Sequence, residues 1–164
     1  MAKKAAYMGM MTALAFVLSY LETLIPINLG VPGVKLGLAN LVVIVALEMM
    51  GVKEACTLSL VRVVLTSFTF GNPAGILYSF TGGAFSLLAM VGAKKLKLFS
   101  LAGISVLGGV SHNIGQLTAA MLVVENASLM YYLPVLVLSG TAAGVAVGAL
   151  AAALVRHLKG FEQR

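Results

Sequence analysis

Arg62 sits about midway along an apolar run, and His112, Asn113 and Gln116 stand within another, residues 98–124. A guanidinium carries a permanent charge and five N–H donors in a planar fork, which suits a carboxylate, phosphate or diphosphate. An imidazole and two carboxamides add donors and acceptors that can orient a ligand. A charge near the middle of a span costs about 2.5–3.5 kcal/mol, so these groups are expected to face protein or water. Two readings stand open for Arg62: an anion contact, or a structural role through an ion pair with Glu22 or Glu48 or through helix-end carbonyls. Two also stand open for the others: ligand recognition, or hydrogen bonds that only hold helices together. His112 and Gln116 share a helix face with Ser105 and Gly109. Lys35, Asn40, Asn72 and Tyr78 lie near the ends of apolar runs and are candidates for the mouth of the same pocket. Their ordinary alternatives are snorkelling for Lys35, turn chemistry for Asn72-Pro73 and an interfacial anchor for Tyr78. The only other histidine is His157, and no carboxylate or thiol lies at ligand spacing, so neither a metal nor any other cofactor is expected.

The elements that must position these residues are apolar. Of 164 residues, 60% are hydrophobic and 10% charged, with a mean hydropathy of +1.04. A soluble domain is about 45–50% apolar and about 25% charged, so the composition is that of a membrane protein. With about 20 residues per span, the chain holds six transmembrane helices as one domain, 1–164. They are expected near 5–25, 34–50, 54–70, 74–91, 98–124 and 132–158. The apolar run after Met1-Ala-Lys-Lys continues to Leu21, which favours a first span over a cleaved leader. The net charge of +6 suggests no nucleic acid, because it falls at the ends of apolar segments. Single Cys56 excludes an intrachain disulfide.

Small residues thin two helices. Ala5, Gly9 and Ala13 recur every four residues in the first, a face suited to a partner helix. Gly140, Gly144, Gly148 and Ala152 do the same in the sixth, where packing within the chain is the expectation. Ser59, Arg62, Thr66 and Thr69 are expected to share a face of the third. Six spans put Lys3, Lys4, Lys53, Lys94, Lys95, Lys97, Arg156, Lys159 and Arg164 on one side and Lys35 alone on the other. The positive-inside rule then places both termini in the cytoplasm of a bacterial cell, in a multi-pass protein of its membrane.

The segments Val61–Gly75, Gly109–Gln116 and Val34–Asn40 resemble the bacterial Gx transporter family, also labelled heptaprenyl diphosphate synthase component I. That family is similar to the S components of energy-coupling-factor (ECF) transporters. The resemblance implies six helices that capture a vitamin or similar small molecule from outside, and the family label points to isoprenoid or quinone metabolism; the expectation of an anion comes from Arg62. It implies docking, through the small residues Ala5, Gly9 and Ala13, on an energising module of one membrane subunit and two ATPases. It implies that the loop 26–34 gates the pocket. The chain has no P-loop. It also has no Asp and five scattered Glu, so it lacks the Asp-rich magnesium cluster of prenyl diphosphate synthases, and a non-enzymatic role follows. Two other classes stay open: a stand-alone proton-coupled transporter using Glu22 or His112, and a non-catalytic membrane subunit of a prenyl diphosphate or quinone synthesis complex.

Overall fold

The computed structural model describes residues 2–24, 37–70 and 73–162. Within them the protein is all-α, with no strands. Six α-helices follow in order: α1 Ala2–Leu24, α2 Leu38–Met49, α3 Val52–Phe70, α4 Pro73–Leu96, α5 Leu101–Val124 and α6 Leu133–Glu162. A 3-10 turn over Ala127–Tyr132 leads into α6. The polar residues Glu125–Ser128 predict only a short connection before α6. Asn126 starts the turn by accepting the Ser128 N–H at 2.9 Å.

Several bounds differ from those expected from apolarity. α4 continues past Val91 through Lys94 and Lys95, because its last turn carries cations that suit a helix C-terminus. α5 begins at Leu101, where the Ser100 hydroxyl caps it by accepting the Gly103 N–H at 3.2 Å. α2 has only 12 residues. Three segments are long and apolar enough to cross a membrane: Lys4–Leu24, Gly75–Leu96 and Ala127–Gly160. α3 and α5 are comparably long, but their interior faces hold Arg62 with several hydroxyls, and His112, Asn113 and Gln116.

The helices pack in a ring, α1–α3–α4–α5–α6–α2 and back to α1, with α2 also touching α3. Ring contacts of Phe70 with Phe16 at 5.2 Å and Tyr20 at 5.7 Å join α3 to α1, and Lys4 pairs with Glu54 at their other ends. α1 and α3 therefore run in the same direction. The carboxy-terminal ends of α2, α4 and α6 meet where Glu48 binds Lys94 at 3.0 Å and Lys159 at 3.2 Å. Lys94 also donates to the Leu47 carbonyl at 2.6 Å, satisfying an end group of α2.

α5 is the most closely held helix. A Cβ on Gly144 would lie 2.6 Å from Val106 Cα, and one on Gly109 would lie 2.6 Å from the Gly140 carbonyl oxygen. Only hydrogen at these positions lets the two backbones meet. The α6 glycine stripe is thus spent on packing within the chain. The ring's outside is apolar: Phe68, Leu88, Leu122 and Leu138 are 72–82% exposed. Exposed apolar surface on this scale marks a membrane-associated protein. Its inside holds Ser, Thr, Glu, Arg, His, Asn and Gln side chains as well as an apolar core.

Candidate functional site

Arg62 and Glu22 are the buried charges among the described residues. Arg62 reaches the interior because it shares the buried face of α3 with Ser59 and Thr66. Thr69, expected on that face, is exposed and bonds back to the Leu65 carbonyl at 2.7 Å, while Ser67 is buried. At 3.6 residues per turn the inward face has moved on by one position there. Glu22 projects inward from the end of α1, and its negative charge acts on Arg62. The same carboxylate accepts the Gly37 N–H and, at 3.2 Å, the Leu38 N–H. It therefore anchors the start of α2, where the helix end favours an anion. The other candidate partner, Glu48, is taken up by Lys94 and Lys159 at the opposite end of α2.

His112, Asn113 and Gln116 are all buried on α5. Two adjacent glycines of α4 lie between α3 and two of these residues, His112 and Gln116. A Cβ at Gly82 would lie 2.7 Å from Gln116 Cγ and 3.1 Å from His112 Cε1, whereas one at Gly83 would lie 3.6 Å from Ser59 Oγ. The Gly82-Gly83 pair is thus a thin wall with the polar faces of α3 and α5 on its two sides. Sequence reading missed that role; the adjacency of two glycines inside a polar-stripe helix was the available signal.

Asn113 points the other way. Its amide donates to the Leu136 carbonyl at 2.8 Å and reaches Ser139 Oγ at 3.4 Å, tying α5 to α6. Tyr78 is buried at the α4–α5 contact against Ala119, Ala120 and Leu129. Asn40 lies in the first turn of α2 and lines a small cavity with Ser86 and Ser105. Lys35, Asn72 and the loop 26–34 lie outside the described residues. Ala5, Gly9 and Ala13 are all exposed on the outer face of α1, and a Cβ at Gly9 would meet nothing within 4 Å.

Two polar atoms mark what the site can still do. Arg62 Nε and Gln116 Oε1 are fully buried and have no hydrogen-bond partner among the described residues. Buried polar atoms are almost always satisfied, and an unmade bond costs about 1–3 kcal/mol. A donor on α3 and an acceptor on α5 are therefore left unbonded by the described residues. The model of the family described as heptaprenyl diphosphate synthase component I matches residues 11–154. The chain belongs to that family. In this heptaprenyl diphosphate synthase component I member the match spans Glu22, Arg62, Tyr78, His112 and Gln116; of the α1 stripe it includes Ala13 but not Ala5 or Gly9. No curated protein and no solved structure matches the chain.

Proposed function

We propose that the protein is a non-enzymatic, substrate-binding membrane subunit, similar to ECF S components, that takes up a small molecule from outside the bacterial cell. All six helices would span the cytoplasmic membrane, with both termini in the cytoplasm. The buried Arg62 guanidinium with its unbonded Nε carries this reading. Such a group favours a carboxylate, phosphate or diphosphate, or an isoprenoid- or quinone-related molecule bearing one. Gln116, His112 and Tyr78 would orient the ligand, and 26–34 would close over it. Energy would come from an added module of a membrane subunit and two ATPases, docked on the exposed Ala5, Gly9 and Ala13.

The test is native mass spectrometry of protein purified from its own membrane. Wild type is expected to retain a discrete small molecule and Arg62→Ala to lose it. A folded Arg62→Ala protein that retains the same molecule at wild-type occupancy refutes the site. The family's description favours a second reading, a non-catalytic membrane subunit of a prenyl diphosphate synthesis complex. Stable co-purification with a prenyltransferase, without ligand or ATPases, would select it.

A further inference from the structure

Where α2 begins, it meets α4, α5 and α6 around a cavity of about 20 Å³. Its polar lining comes from Asn40, Ser86 and Ser105, and its close walls from Gly37, Gly108 and Gly144. Ser86 is 1% exposed, and its Oγ has no hydrogen-bond partner among the described residues. Gly108 leaves that hydroxyl uncovered: a Cβ there would lie 3.2 Å from Ser86 Oγ and 2.7 Å from Met90 Cγ. An α-helical serine ordinarily bonds back to its own backbone, as Ser139 does to Leu136 at 3.1 Å. Ser86 does not.

We infer that this cavity is a binding site for one resident water molecule, bridging Ser86 on α4 to Asn40 on α2 and Ser105 on α5. The size is right, since a single water needs about 10–15 Å³ of such space. The chemistry is right as well: two hydroxyls and a carboxamide supply both donors and acceptors, and a buried water makes about three bonds. A monovalent cation of similar size suits the site poorly, because no carboxylate lines it. Glu22, which reaches the start of α2, already accepts from Gly37 and Leu38 and acts on Arg62. The water would fix the first turn of α2 against the bundle, one turn from the Glu22 anchor. It holds whether or not the chain binds a substrate.

The sign of one substitution separates a wet cavity from a dry one. If the cavity is dry, the Ser86 hydroxyl is a buried liability, and Ser86→Ala raises the melting temperature of the purified full chain in nanodiscs. If the water is present, Ser86→Ala removes one of its partners, and the melting temperature falls by about 2–4 °C. A rise or no change overturns the proposal. Water-to-amide magnetisation transfer in solid-state NMR of the unsubstituted protein gives a second readout. A slowly exchanging water cross-peak at the Ser86, Ser105 or Gly108 amide is expected, and its absence overturns the inference even if Ser86→Ala fails to fold. A melting temperature that drops when sodium is replaced by a bulky organic cation would assign the site to a cation and also overturn it.

Discussion

Arg62 and Asn113 look alike from the sequence, as polar groups in apolar runs, and the structure separates them by what they touch. Asn113 donates to a carbonyl of the neighbouring helix, so its role is met within the chain. Interhelical hydrogen bonds in membranes average about 0.6 kcal/mol and reach about 1.7. Asn113→Ala should therefore lower stability by no more than about 2 kcal/mol and leave ligand retention near wild type, measured by thermal unfolding and native mass spectrometry on one sample. Arg62 presents Nε to the interior without a bond. Arg62→Lys keeps the charge but loses the planar fork, so it should retain the ligand weakly, by a factor of 10 or more below wild type at about 1.4 kcal/mol per tenfold. Full retention by the lysine variant would mean that charge alone matters. Burial of Arg62, His112 and Gln116 was legible because polar groups in a span have few places to go. What was not legible was Glu22 gripping the start of α2 or the direction taken by Asn113, since both depend on which helices become neighbours.

The helices divide into those that pack on backbone and those that leave a small-residue face outside. Glycine spacing revealed the two stripes in α1 and α6, but spacing alone does not say what covers them. In α6, Gly144 abuts Val106 Cα, and any side chain there forces α5 and α6 apart. Overpacking of this kind costs about 1–3 kcal/mol, so Gly144→Ala should lower the melting temperature by several degrees and weaken ligand retention through displacement of α5. In α1, Gly9 faces outward with nothing within 4 Å. Gly9→Leu should unfold at the wild-type temperature yet lose co-purification of the energising module. If module recovery is unchanged, the outer face of α1 is a lipid surface and docking lies elsewhere. Helix ends were the least legible part. Apolar counting stopped α4 at Val91, because it reads lysines as an exit from the membrane and ignores how well they suit a helix C-terminus.

At the scale of the molecule, an apolar exterior surrounds an interior in which polar side chains sit beside an apolar core, and the clustered cations give the ring a direction. Lys94 and Lys159 converge on Glu48, and Lys4 on Glu54, so the amino ends of α1 and α3 and the carboxy ends of α2, α4 and α6 define one face of the bundle. Lys53, Lys95, Lys97 and Arg156 add to the same face. Only the sign of the loop charges orients such a bundle in a membrane, and an excess of Lys and Arg holds a face in the cytoplasm. The opposite ends are joined by the segments 25–37, 71–72 and 125–132, in which Lys35 is the lone cation. A reporter that is active only in the cytoplasm should therefore work when fused after Arg164 and fail when inserted after Asn126. The reverse pattern would turn the bundle over, placing Glu22 and the start of α2 towards the cytoplasm, and would exclude the proposed capture from outside by this route. Equal activity at both sites would mean that the short polar segment before α6 does not cross. α6 would then lie against the membrane instead of spanning it, while Gln116 and His112 stay covered by Gly82 of α4, so that outcome would revise the topology and not the burial of these side chains.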